Sequence, residues 1–155
     1  MEGAEQRLVR RTVDATIEQC VEVAIDIPSY PAWADGVKEA VVTDLGSDGL
    51  VKRARFLAGA HGREVTYELE YVTDHLPHSL GWSLVRGDLV RTVRGRYDFA
   101  PSLDEPDHTE VIYYLEVALV APVPGFVHRR AEDILMSAAL EHFTAEVTRR
   151  AQNGG

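Results

Sequence analysis

Hydrophobic and polar positions divide this chain into three stretches with different periods. Leu8 to Val13 reads as a first strand. A helix follows, capped by Asp14 or Thr16, with Glu18 in the first turn, where the helix dipole favours an anion. Ile17, Val21, Ala24 and Ile25 recur at helical spacing and predict its buried stripe, with Cys20 on the same side. From Val37 the period changes to two. Val37 to Leu45, Leu50 to Ala58, Arg63 to Thr73, Leu80 to Val85, Leu89 to Phe99 and Thr109 to Leu119 each read as strands between Gly-, Pro- or Asp-rich turns. Arg63 to Thr73 is the clearest: Val65, Tyr67, Leu69 and Tyr71 share one face, and Glu64, Thr66, Glu68 and Glu70 the other. Pro122 and Pro124 end the last strand. Gly125 to about Arg150 then predicts one long helix whose stripe is Met136, Leu140, Phe143 and Val147.

This order predicts an α+β fold: strand, two short helices, six strands, long helix. Strands joined by short turns pair as an antiparallel meander. A sheet with one apolar face needs a cover, and the C-terminal helix is the element long enough to supply it. With 155 residues and no linker, repeat or low-complexity segment, residues 1–155 are expected to form a single domain with a substantial core.

Between the helix and the strands lies Asp26-Ile-Pro-Ser-Tyr-Pro-Ala-Trp33. Pro28 and Pro31 cannot sit inside a regular helix or a central strand. They predict a tight helical corner that presents Tyr30 and Trp33 and plugs one end of a curved sheet, making a container for an apolar molecule.

Charge and cysteine content narrow the partners. A formal net charge of -9 argues against nucleic acid, which needs a basic surface to displace phosphate counterions. It also argues against docking on an anionic membrane by charge. No apolar run is long enough for stable membrane insertion. One cysteine, Cys20, allows no intrachain disulfide, and no signal peptide is visible at the N-terminus. The expectation is a cytoplasmic protein.

Strand parity turns Tyr67, Tyr71, Trp82, Tyr97 and Tyr113 toward the helix, and Trp33 and Phe56 are counted with them as ligand-binding candidates. A dry core would favour Phe and Leu, because each buried phenol must find a partner or cost about 1 to 3 kcal/mol. Tyrosines lining a cavity bond water or a polar group of a ligand instead. Gly95 removes a side chain within a strand, and Ala131, Ala138, Ala139 and Ala145 on the long helix leave further room. Arg91 shares parity with Val93 and Tyr97, and Arg63 with Tyr67, so either guanidinium is placed to hold a carboxylate or enolate oxygen at the rim. Tyr67, Arg91 and His142 are the candidates for acid/base chemistry. Arg53, Arg55, Arg94 and Arg96 face outward with Glu64, Glu68, Glu70, Glu110 and Glu116, a pattern that fits cross-strand pairing. His75 and His78 share a turn without a third ligand, so no metal site is expected. Cys20 on a buried stripe is silenced, and neither a nucleophile elbow nor a phosphate-cradling glycine loop is present.

The element order, with Asp26-Ile-Pro-Ser-Tyr-Pro-Ala-Trp33, Gly95-Arg-Tyr-Asp-Phe99 and Thr109-Glu-Val-Ile-Tyr113, resembles the polyketide cyclase/dehydrase group of the START-like, helix-grip (SRPBCC) superfamily, from about Arg7 to Arg149. The resemblance implies a curved antiparallel sheet of about seven strands wrapped around a long C-terminal helix, with a deep apolar cavity between them. It implies a small hydrophobic ligand and no cofactor: a lipid, quinone or polyketide-like molecule is bound or carried, or a polyketide chain is cyclised by aldol closure and dehydration. The strand Val65 to Thr73 departs from the aromatase pattern, since it turns Tyr, Leu and Tyr inward and no arginine. The sequence leaves the oligomeric state and the ligand open.

Overall fold

Seven antiparallel strands form one curved sheet in the computed structural model, which describes residues 5–34, 36–60, 63–88, 90–119 and 140–153. The elements run β1 (Glu5–Val13), α1 (Ile17–Ile25), a 3-10 turn (Ile27–Ser29), α2 (Tyr30–Trp33), β2 (Val37–Leu45), β3 (Val51–Ala60), β4 (Arg63–Val72), β5 (Ser79–Gly87), β6 (Val90–Pro101) and β7 (Thr109–Leu119). Residues 140–153 are helical and are called α3. The strand order is β1-β7-β6-β5-β4-β3-β2. Five of these contacts join strands consecutive in sequence, as short turns dictate. The sixth closes β1 onto β7, from Glu5↔Val117 to Val13↔Thr109.

Curvature has local causes. Register shifts interrupt β2–β3 pairing between Val37 and Glu39 and again near Asp44, β4–β5 pairing at Glu68/Leu69, and β6–β7 pairing between Val90 and Thr92. An extra residue on one strand bends it and increases its twist. At the β2–β3 hairpin Gly49 has φ 82°, a left-handed conformation that glycine adopts without strain.

Helix α1 starts at a reciprocal cap. The Gln19 amide donates to the Thr16 hydroxyl (3.2 Å), and the Thr16 amide donates to the Gln19 side-chain oxygen (2.9 Å). Its buried residues are Cys20, Val23 and Ala24. Ile17, Val21 and Ile25 are only partly buried against the core. The buried stripe is therefore rotated from the expected one and continues through Ile27 at the spacing 20, 23/24, 27.

The core lies between α1, the concave sheet face and α3, where Leu140, Phe143 and Val147 are fully buried. The outer face carries the expected cross-strand ion pairs: Arg53–Glu70 (3.9 Å), Arg86–Glu68 (3.0 Å), Arg94–Glu116 (3.2 Å) and Arg10–Glu110 (3.0 Å). In three of these pairs both partners are at least partly exposed, so each contributes about 1 kcal/mol or less, whereas Glu116 is buried beneath Arg94. Ala131, Ala138, Ala139 and most of the predicted long helix lie outside the described residues, as does the Arg63 side chain.

Candidate ligand-binding site

Phe143 of α3 stands at the middle of a continuous set of aromatic rings. Its ring stacks on Tyr97 (4.9 Å between centroids) and meets the Trp33 indole edge-on (6.0 Å). On the corner side, Trp33 contacts Tyr30 (5.0 Å), Tyr30 contacts Phe56 (6.1 Å), and Phe56 stacks on Tyr67 (5.3 Å). On the sheet side, Trp82 contacts Tyr71 (6.3 Å), Tyr97 (5.3 Å) and Tyr113 (5.9 Å). The cross-strand pairs Tyr71↔Trp82 and Tyr97↔Tyr113 place these rings side by side on one face. The two prolines thus do what the sequence suggests: they fold Tyr30 and Trp33 onto the end of the sheet. Volume is not left open everywhere between helix and sheet, because Phe143 fills the gap where it lies.

The space at Gly95 is also filled. A Cβ there would lie 2.3 Å from two carbons of the Trp82 indole, and Trp82 is directly opposite in the register. Gly95 therefore serves by letting the indole lie flat on the backbone of β6. It does not open a void, which corrects the reading of this glycine as spare room.

Polar groups within this apolar shell are mainly phenols. Tyr30 donates its hydroxyl proton to the carbonyl of Ala24, tying the corner to α1. Among the described residues the hydroxyls of Tyr67, Tyr71, Tyr97 and Tyr113 have no hydrogen-bond partner. Burial pushes all of them up, Tyr67 to about 12. The hydroxyls are also close enough to feel one another: a charge on Tyr67 or Tyr97 would raise Tyr71 further, and one on Tyr67 would raise Tyr113. They are protonated donors at neutral pH and poor bases.

The remaining predicted residues are dispersed. Arg91 is exposed and sits in the bulge between Val90 and Thr92, so the extra residue there breaks the parity on which its inward placement was based. His142 lies on α3 beside the corner, where it lines an open cleft with Trp33. Its Nδ1 is buried and unpaired. Cys20 is buried, and its thiol is pushed up to about 11 by burial, partly offset by a hydrogen bond with Thr109. Among the described residues no cluster of three His, Cys, Asp or Glu is arranged to hold a metal, and no helix is long and apolar enough to cross a membrane. The cleft at Trp33 and His142 had no signal in the sequence, since it joins residues more than a hundred positions apart.

A curved seven-stranded sheet gripping a C-terminal helix defines the START-like class. The chain belongs to the polyketide cyclase/dehydrase and lipid transport family, whose model matches residues 8–152. Solved structures agree on the fold. A START superfamily protein from Mycobacterium smegmatis superposes with TM-score 0.85 at 19% identity, covering 95% of this chain and 99% of that one. The ZhuI aromatase/cyclase from a Streptomyces species gives 0.81 at 15% identity, covering 98% of each chain. A Thermus thermophilus protein gives 0.74 at 22% identity, covering 94% of this chain and 98% of that one. No match to a curated protein sequence was found.

Proposed function

We propose that the protein binds a small, uncharged, largely apolar molecule carrying oxygen acceptors, in the interior between the concave sheet face and the C-terminal helix. A quinone, a polyketide-like aromatic or an oxygenated lipid has this chemistry. The observation that carries the reading is the set of four phenols on one apolar face that have no hydrogen-bond partner among the described residues. A phenol held protonated by burial offers a proton to a carbonyl or ether oxygen. Membership in a family of cyclases and lipid transporters supports the same direction.

Burying roughly 300 Å² of apolar ligand surface gives about 7.5 kcal/mol at about 25 cal/mol per Å². Association and ordering take back several kcal/mol, so micromolar affinity is the upper limit and weaker binding is expected. The test is calorimetric titration with 1,4-naphthoquinone and with naphthalene, which lacks the two carbonyls. Tyr97→Phe and Tyr113→Phe should each weaken naphthoquinone binding by about tenfold, the value of one buried hydrogen bond, and leave naphthalene unchanged. Equal affinity of wild type and both variants for the quinone would remove the reading.

A second reading, aldol cyclisation and dehydration of a polyketide chain, is favoured by the fold shared with an aromatase/cyclase. The protonated phenols suit polarisation of a ketone. Tyr67→Phe would then abolish turnover of a polyketide substrate while still binding it. Unchanged turnover would exclude Tyr67 from that chemistry.

A further inference from the structure

Two stranded nitrogens mark the seam between the Pro-rich corner and α3. Among the described residues three buried side-chain nitrogens or oxygens lack any hydrogen-bond partner, and two of them are Trp33 Nε1 and His142 Nδ1. An open cleft of about 420 Å³ lies alongside, lined among the described residues by Pro31 to Ala34, Gly36, Val37 and His142. Its exposed walls are mainly polar, so it belongs to solvent. Both nitrogens are sealed from it. Each thus forgoes the water of the adjoining cleft, which penalises the arrangement in which the corner is shut.

The corner is held like a strap, fixed at its ends and lightly in the middle. At its start Asp26 accepts from Ser29 (2.6 Å) and from Arg150 of α3 (3.1 Å). At its end the Gly59 amide donates to the Gly36 carbonyl (2.8 Å), and Gly36 has φ 85°, a left-handed conformation open to glycine. Between these anchors α2 has no buried residue. Its specific inward ties among the described residues are the Tyr30 hydroxyl on the Ala24 carbonyl and the ring contacts of Tyr30 with Phe56 and of Trp33 with Phe143. Phe56 and Phe143 in turn stack on Tyr67 and Tyr97. Lifting Tyr30 to Ala34 therefore breaks one hydrogen bond, wets two stranded nitrogens and uncovers the rings beside the phenols.

We propose that Tyr30 to Ala34 open as a unit, a door through which the interior exchanges its guest, with the Tyr30 hydroxyl as its latch. The proposal rests on the interior site for what passes the door, but the opening itself is measurable without a ligand. Hydrogen exchange of the uniformly labelled full-length protein is followed by NMR for the Trp33 indole, assigned with Trp33→Phe, and for the amides of Tyr97 and Phe99 in the interior strand β6. The Trp33 proton is expected to be at least about a hundredfold less protected than those amides, and to ignore low urea that accelerates them. Tyr30→Phe is expected to raise Trp33 exchange about fivefold, because the latch bond is lost from the closed form alone. A Trp33 proton as protected and as urea-sensitive as the strand amides overturns the proposal, since the corner then opens only when the protein unfolds. A rate that Tyr30→Phe leaves unchanged also overturns it, since water then reaches the indole with the corner shut. Lineshapes from a 1,4-naphthoquinone titration should show association and dissociation both about fivefold faster in Tyr30→Phe. Unaltered quinone kinetics beside faster Trp33 exchange would overturn the door and spare the site. Fast, latch-dependent exchange with no quinone bound would uphold the opening and remove the interior reading instead. The wild-type comparison of Trp33 with the strand amides decides the opening even if Tyr30→Phe fails to fold.

Discussion

A methyl group added at Gly95 would sit 2.3 Å from the Trp82 indole, so the ring must leave the backbone and disturb Tyr71, Tyr97 and Tyr113, which it touches. Gly95→Ala should therefore lower unfolding free energy by about 1 to 3 kcal/mol, as overpacking does, measured by urea denaturation. The phenols have the opposite sign. A hydroxyl with no partner among the described residues adds little to the empty protein, so Tyr97→Phe and Tyr113→Phe should leave the melting temperature unchanged or raise it. A clear fall in both would mean that these hydroxyls are bonded in the unliganded molecule. The inward tyrosines were legible in the sequence because side chains in a strand alternate strictly: Tyr67 and Tyr71 follow from one period-two run. Arg91 was not, because it is itself the extra residue of a bulge that breaks that count. The use of Gly95 was hidden as well, since strand parity alone does not give the register that sets it opposite Trp82.

Helix α3 is tied to the corner by charge as well as by Phe143. Arg150 donates to Asp26 (3.1 Å) and to Glu146 (2.7 Å), Arg149 also grips Glu146, and Asp26 accepts from Ser29 (2.6 Å). Arg150→Ala should cost about 1 kcal/mol, because the pair with Asp26 is only partly shielded from water. The hydrogen bond from Arg149, helped by Arg150 and opposed by burial, holds the Glu146 carboxyl below its usual range. A depressed folded value contributes stability above the unfolded carboxylate pKa and loses it as pH falls through the folded one. Denaturation curves from pH 7 to pH 3 should show that acid-limb loss in wild type and less of it in Glu146→Gln. His108 behaves in reverse. Its Nδ1–H donates to the Pro106 carbonyl, and Asp14 and Glu105 face Nε2, so the imidazolium is favoured and its pKa raised. The stability it adds is present below the unfolded histidine value and fades as pH rises through the folded one. A histidine titration followed by NMR should place His108 above an exposed reference histidine, and Asp14→Asn should lower it. The sequence narrowed the cap of α1 to Asp14 or Thr16; the structure makes it Thr16, with Gln19 as its reciprocal partner, and Thr16→Ala should cost about 1 kcal/mol by thermal melting. The Asp26–Arg150 contact spans 124 residues, a separation at which local pattern carries no information.

Across the full fold, five of six strand pairings follow from short turns, and these were legible. The sixth, β1 on β7, joins the first and last strands, about a hundred residues apart, where no short turn dictates pairing. Much the same holds for the interior. Sequence parity shows which residues face inward, but how the remaining space is shared between rings and open volume depends on packing at single contacts such as Phe143 on Tyr97. In the proposed function this interior, though partly filled by aromatic rings, still holds a small oxygenated guest on phenols that have no partner among the described residues. Native mass spectrometry of the freshly purified protein incubated with 1,4-naphthoquinone tests it most directly. A one-to-one adduct is expected as quinone is raised toward millimolar concentration, and it is expected to be depleted in the Tyr97→Phe, Tyr113→Phe double variant. A bare protein mass under the same conditions, or an adduct of equal strength in the double variant, would contradict it.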